Sequence, residues 1–305
     1  MPELVAEAPT LGQYAGRKRG VVILLSSTQA SEMLSQFQHG SEARISLDLG
    51  MTETTVSLQE GRVRLSSEAH VSLDDLRKIA KREESIFAVA EGTIEKVIRY
   101  SNATRRTYKL RPTADWPALE ISGISMHRTK GTTPKRDAEA KLRLVWPVRG
   151  AVLDTCAGLG YAAILAASTA DSVTAIEKDE NVLEMARLNP YSQPLFLEPK
   201  IKLIHADATQ VIPAFGAAMF DLVNHDPPTL SLAGELYADV FYAQLLRILK
   251  PGGMLLHYTG APGSKSRHVD LSASVSRRLR KVGFAEVRAD SETACIVATR
   301  PRERL

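Results

Sequence analysis

The chain has 305 residues, 44% of them apolar and 24% charged, which allows a well-buried core and two domains and argues against wholesale disorder. Its net charge is +4, and its two cysteines, Cys156 and Cys295, make neither a disulfide framework nor a zinc site. No apolar run approaches the roughly 20 residues that span a bilayer, so the composition reads as that of a cytoplasmic protein with no membrane partner.

Residues 1–19 mix proline, glycine and charge without a sustained period and read as a flexible tail. Arg17, Lys18 and Arg19 before the apolar residues 21–25 loosely imitate a signal peptide, but that apolar run is too short and predicts a strand. A Ser or Thr cap then opens a short helix over residues 27–37. Apolar and polar residues alternate at 43–49, 55–58 and 63–65, with Glu60 and Gly61 among the turn residues between them, which predicts short antiparallel strands with one wet face. Ser72 caps a helix over 72–81, and strand-like runs return at 85–90, 94–100 and 107–110. Residues 20–125 therefore read as a β-rich α+β domain that selects or positions substrate.

A basic linker over residues 126–145 comes next, with a polar stretch at 129–136 that suits a lid and a short helix over 137–145. Between residues 101 and 150, eleven Lys or Arg stand against four Asp or Glu, a local excess of +7 that leaves the remainder at −3. Such a block, which includes Arg128, Lys130, Lys135 and Arg136, suits an anionic partner such as RNA, and suits a solvated surface equally well.

Residues 146–305 carry the chemistry. An apolar run ends in Asp154, a tight loop carries Cys156, Ala157, Gly158 and Gly160, and an alanine-rich helical pattern follows. The two glycines let backbone approach a ligand and expose amides, and Gly158-x-Gly160-x-x-Ala163 fits the dinucleotide fingerprint as well. A second run, 172–176, ends in Glu177, placed to accept hydrogen bonds from ribose hydroxyls, with Lys178 beside it. A third leads into Asp207 and Ala208, and a fourth delivers Asp226-Pro227-Pro228-Thr229. A helix over about 234–249 and a fifth run, 254–258, complete the series. Glu177 and Asp207 also read as simple helix caps, Cys156 as a small packing residue, Tyr161 as pocket or core, and His225 as a core residue on the opposite face of its strand.

This order of motifs resembles the class I S-adenosylmethionine-dependent methyltransferases over roughly residues 145–300, and implies an α/β fold with a Rossmann-like doubly wound sheet. The resemblance assigns Asp154 and the loop of Cys156, Ala157, Gly158 and Gly160 to the methionine part of S-adenosyl-L-methionine, Glu177 with Lys178 to the ribose, and Asp207 with Ala208 to the adenine. Cys156 stands where many members have glycine, as in the RNA methyltransferase branches. Residues 126–136, 226–237 and 262–266 extend the likeness to a family of predicted archaeal methyltransferases.

Asp226, Pro227 and Pro228 are the catalytic candidates. The prolines fix φ and remove donors at the end of a strand, so the Asp226 carboxylate and the Pro227 carbonyl are expected to face the pocket and orient an exocyclic amine. This resembles methyltransferases acting on guanine N2 or adenine N6, with one departure: Thr229 stands where an aromatic residue often stacks on the base, and it cannot replace the cysteine nucleophile of cytosine-5 enzymes. Thr229, Tyr258, Lys265, Arg128 and Lys130 are the substrate-side candidates, with residues 258–267, including Arg267, as a substrate lid. The alternatives are an aminopropyltransferase of the spermidine-synthase kind, a non-catalytic cofactor- or RNA-binding module and, last, a nicotinamide dehydrogenase. No metal-ligand spacing is present.

Overall fold

The structure is a computed structural model and describes residues 23–90, 93–260 and 271–302. The tail expected over residues 1–19, together with Lys265 and Arg267, lies outside the described residues. The chain divides into two compact units, Met1–Thr129 with Arg187–Pro190, and Lys130–Ala186 with Tyr191–Leu305.

The first unit opens with strand β1 (Ile23–Leu25) and helix α1 (Ser27–Gln36). Ser26 caps α1 reciprocally: its hydroxyl accepts the Thr28 amide at 3.2 Å, and the Gln29 side chain accepts the Ser26 amide at 3.0 Å. The alternating runs form an antiparallel sheet of β2 (Glu42–Ile45), β3 (Thr54–Gln59), β4 (Arg62–Arg64) and β5 (His70–Ser72). Helix α2 (Leu73–Ala80) follows, its Ser72 cap accepting the Asp75 amide at 3.0 Å. Asp74 and Asp75 in its first turn and Arg77 and Lys78 in its last oppose the helix dipole, while Leu76 and Ile79 face inward. Strand β6 (Phe87–Ala90) pairs with β1 on one side and β7 (Thr93–Lys96) on the other, and β8 (Ile98–Ser101), β9 (Arg106–Arg111), β10 (Ala118–Ile121) and β11 (Ile124–Ser125) make a third antiparallel sheet. Leu25, Met33, Val63 and Leu76 centre the core of this unit.

The second unit begins with α3 (Pro134–Arg143), three residues earlier than the helix expected from 137. Thr133 caps it by accepting the Arg136 amide, and Pro134 suits the first helical position, where no N–H is needed. The basic segment is thus helical from Pro134 on. Strand β12 (Ala151–Asp154) leads through the glycine loop to α4 (Tyr161–Ala167), and β13 (Ser172–Glu177) precedes α5 (Glu180–Leu188) and α6 (Pro194–Leu197). Then come β14 (Ile201–His205), α7 (Ala208–Val211), β15 (Phe220–His225), α8 (Asp239–Ile248), β16 (Leu249–Tyr258), α9 (Leu271–Val282), β17 (Ala285–Asp290) and β18 (Cys295–Thr299).

Seven of these strands form one sheet in the order β14-β13-β12-β15-β16-β18-β17, with β18 antiparallel to both its neighbours. The α/β Rossmann-like sheet predicted from sequence is therefore present. From β12 the chain winds outward to β13 and β14, then returns to β15 on the other side. This reversal opens a crevice at the carboxyl ends of β12 and β15, where open α/β sheets bind ligands.

The helix expected over about 234–249 is two pieces. A 3₁₀ turn, Gly234–Tyr237, is separated from α8 by Ala238 in extended conformation (φ −76°, ψ 148°). Tertiary bonds compete with the helical ladder there: the Tyr237 hydroxyl donates to the Pro228 carbonyl at 3.0 Å, and Arg278 donates to the Tyr237 carbonyl at 2.8 Å. Among the described residues no helix is long and apolar enough to cross a membrane.

Candidate active site

Strand register sets the first acids. Asp154 of β12 lies beside Asn224 of β15, and Glu177 ends β13 beside His205 of β14. Asp154 is buried and accepts the Asn224 side-chain amide at 3.2 Å. Burial pushes its carboxyl up to about 7 against the pull of Asn224, and the charges of Asp226 and Glu177 push the same way. Burial also raises Glu177, whose carboxylate is partly compensated by the amides of Asp179 at 2.9 Å and Gly158 at 2.8 Å. The Cys156 thiol is driven well above its usual range by burial and by Glu177, which keeps it protonated and unreactive.

The glycine loop holds two different glycines. Gly158 and Gly160 both adopt left-handed backbone, with φ of +57° and +81°. A Cβ on Gly160 would strike the Leu195 side chain at 2.8 Å, so that glycine answers to packing inside the protein; a Cβ on Gly158 would meet open space. Of the two glycines expected to admit a ligand, Gly158 alone has a free approach. Ala157 is buried, and its amide donates to the Ile176 carbonyl at 2.8 Å, which ties the loop to β13. Tyr161 is buried.

Asp207 has the capping role that its sequence position also allowed. Its carboxylate caps α7, accepting the Thr209 amide at 2.8 Å and hydroxyl at 2.7 Å, and pairs with Lys178 at 3.1 Å. Burial would raise its pKa, but these bonds outweigh it and hold the carboxyl below its usual value. Its oxygens serve the local turn, as the capping alternative requires. Ala208 is buried in the first turn of α7.

At the end of β15, Asp226, whose carboxylate was expected to face the pocket, is held in an ion pair. Its Oδ2 lies 2.8 Å from the Lys141 ammonium, which also contacts Asp137 at 2.9 Å and sits 3.7 Å from the centre of the Tyr258 ring. Its Oδ1 has no hydrogen-bond partner among the described residues, and the side chain is 33% exposed. Lys141, Asp137 and Asn224 were absent from the sequence-derived site. The spacing Asp137-x-x-x-Lys141 was visible, but its convergence with Asp226, 85 residues away, was not. Pro227 is buried and Pro228 exposed. Thr229 is exposed at the head of a turn, its carbonyl accepting the Leu232 amide at 2.8 Å and its hydroxyl 3.2 Å from Ser231.

Beneath this edge lies a buried polar network. The His225 Nε2–H donates to the Leu236 carbonyl at 3.0 Å, so Nδ1 accepts the Thr155 hydroxyl at 2.7 Å. The His257 ring is 4.5 Å away centre to centre and bonds the Tyr242 hydroxyl at 3.0 Å. Burial depresses His225 to about 4 and His257 well below its usual value, so both rings are neutral. This is the core role anticipated for His225.

Arg128 falls in the first unit, and Lys130 begins the second as an exposed residue. Lys135 lies 3.9 Å from Glu139 along α3, and Lys265 is outside the described residues. A separate depression of about 300 Å³, lined by Gly150, Asp221 and Lys250, lies at the amino ends of β12, β15 and β16 and holds none of these groups.

Comparison with known proteins agrees with this geometry. The family profile described as a methyltransferase domain matches residues 152–253. The uncharacterized protein MJ1233 of Methanocaldococcus jannaschii is 44% identical over 283 residues, covering 92% of this chain and 96% of that protein. A polyamine aminopropyltransferase of Mycobacterium tuberculosis is 32% identical over 116 residues, 35% of this chain and 22% of that one. Among solved structures, spermidine synthase from Thermotoga maritima superposes with a TM-score of 0.52 at 17% identity, over 70% of this chain and 77% of that chain, a likeness of fold. The chain carries a methyltransferase domain on a class I methyltransferase-like fold, and it belongs to the family of the Methanocaldococcus jannaschii protein MJ1233.

Proposed function

We propose that this chain is an S-adenosylmethionine-dependent methyltransferase acting on a neutral nitrogen, such as the exocyclic amine of an RNA base. The observation that supports it most is the gathering of carboxylates at the carboxyl ends of β12, β13 and β15. Asp154, Glu177 and Asp226 all bear on Cys156, and Asp154 is raised further by the other two. Asp154 and Glu177, both raised chiefly by burial, are acids that a cationic ligand would stabilise in their charged form, and the cofactor carries a sulfonium and an ammonium. The open approach at Gly158 supports the same fit.

When bound, the cofactor supplies an electrophilic methyl group. Asp154 balances positive charge from beneath, and Glu177 holds ribose hydroxyls while fixing the Gly158 amide. Asp207 acts by shaping the α7 turn with Lys178. Across the crevice, Asp226 Oδ1 accepts an N–H of the acceptor and aims its lone pair. Because the amine loses its surplus proton during or after transfer, orientation carries the rate and no strong base is required. His225 is no such base: it is buried and neutral, with both nitrogens engaged. The +7 excess over residues 101–150 supports an anionic macromolecule as acceptor.

Incubation with methyl-labelled S-adenosylmethionine and cell extract, fractionated into RNA, protein and small molecules, tests this reading. Label in RNA is expected. Label in protein or small molecules keeps the methyltransferase and removes the RNA acceptor. No methyl label, with aminopropyl transfer to putrescine from the decarboxylated cofactor, replaces the reading with the aminopropyl one.

A further inference from the structure

The acceptor side of the site contains its own cation. Lys141 stands four residues after Asp137 on α3, the spacing that puts two side chains on one helical face with the acid toward the N-terminus. Its ammonium has three N–H bonds, and three features surround it: Asp137 at 2.9 Å, Asp226 at 2.8 Å and the Tyr258 ring centre at 3.7 Å. Lys141 is 12% exposed and Asp137 7%, against 33% for Asp226. The cation is therefore closed in from below, and Asp226 is the member of the cluster that meets solvent. Burial alone would favour loss of the Lys141 proton, but the Asp226 and Asp137 charges outweigh it and raise its pKa above the usual value. Lys141 is thus a permanent positive charge, with no lone pair to act as base or nucleophile.

We propose that Lys141 determines acceptor specificity: by holding one oxygen of Asp226, it converts a carboxylate that would bind a cationic amine into one that takes a neutral N–H donor. This rests on the reading that Asp226 faces the acceptor. A polyamine ammonium would have to displace Lys141 or crowd a second cation against it, and like charges that close repel strongly where water is scarce. A neutral amine needs only Asp226 Oδ1. The fold shared with spermidine synthase therefore carries the opposite charge preference here.

Full-length wild type, Lys141→Met, and the double variant Asp137→Asn with Lys141→Met are titrated with spermidine by calorimetry at low salt. Circular dichroism checks folding, and S-adenosylhomocysteine binding is measured alongside. The double variant removes one acid and one cation together, so the charge of the cluster is unchanged and any gain reports the release of Asp226. Spermidine binding at least tenfold tighter than wild type is expected in both variants, with Lys141→Arg behaving as wild type. A folded double variant that gains nothing overturns the proposal. So does a wild type that binds spermidine in a way that Asp226→Asn abolishes, a test needing no Lys141 variant; a wild type with no such binding supports it. Wild type failing to bind S-adenosylhomocysteine counts against the methyltransferase reading and leaves the spermidine comparison intact.

Discussion

The Glu177 carboxylate accepts the Gly158 amide at 2.8 Å, joining the acid that ends β13 to the glycine of the preceding loop that has open space before it. Removing that carboxylate, Glu177→Ala, takes away the ribose contact proposed above and the bond that holds the loop. Hydrogen bonds to charged groups contribute about 1.5–3 kcal/mol, so cofactor affinity is expected to fall roughly 10- to 100-fold. Calorimetry giving unaltered affinity would exclude the assigned role.

Asp226→Asn keeps shape and size while removing the charge proposed to orient the acceptor. Turnover is expected to fall about 100-fold with cofactor affinity preserved, because positioning enters only as the acceptor is aligned. Rates of label transfer and binding isotherms on the same preparation separate the two effects. A full-rate variant removes Asp226 from the mechanism.

The two loop glycines are expected to fail differently. Alanine in left-handed backbone costs about 1–2 kcal/mol, and Gly158→Ala adds no clash, so it should fold nearly normally but bind cofactor poorly. Gly160→Ala must also push aside Leu195, which its Cβ would meet at 2.8 Å, so its midpoint in denaturant should drop further. Leu195→Ala in the Gly160→Ala background should recover part of that loss. Equal stability of the two single variants would show that the Leu195 contact does not matter.

Asp154 gives the apo protein a pH signature. Its folded pKa is raised to about 7, above the ordinary carboxyl value of 3.8. The stability it contributes is complete below the unfolded value and is lost as pH rises through about 7, a change of ~4 kcal/mol at most. Asp154→Asn should remove that slope, so its melting temperature should exceed the wild-type value at pH 8 by more than at pH 4. Cofactor affinity of the wild type should rise as pH passes through about 7, because a cationic ligand favours the ionised carboxylate. Parallel melting curves for the two proteins would contradict the burial of this charge.

The legible part of this protein was what repeats along the chain. Alternation in β2 to β4, the Ser26 and Ser72 caps, and acids ending apolar runs each encode their element within a few residues, so the doubly wound sheet could be read from order alone. Roles set by distant neighbours were not legible. Nothing near Gly160 announces Leu195, nothing near Asp226 announces Lys141, and the break at Ala238 follows from bonds that Tyr237 makes to Pro228 and Arg278. Asp207 was ambiguous for a different reason: a strand-end acid and a helix-capping acid look alike until its oxygens are seen to be taken by Thr209 and Lys178.

The bond between Thr155 and His225 has a mechanical consequence. Thr155 directly follows Asp154, and His225 directly precedes Asp226, so a buried 2.7 Å rivet sits between the levels of the two acids, one residue past Asp154 and one before Asp226. His225 is clamped in turn to the Leu236 carbonyl and flanked by His257 and Phe241. The span between the two carboxylates is thereby gauged by the core before anything enters. Surface loops can deliver a reactant to that gap, but its width is machined into the sheet.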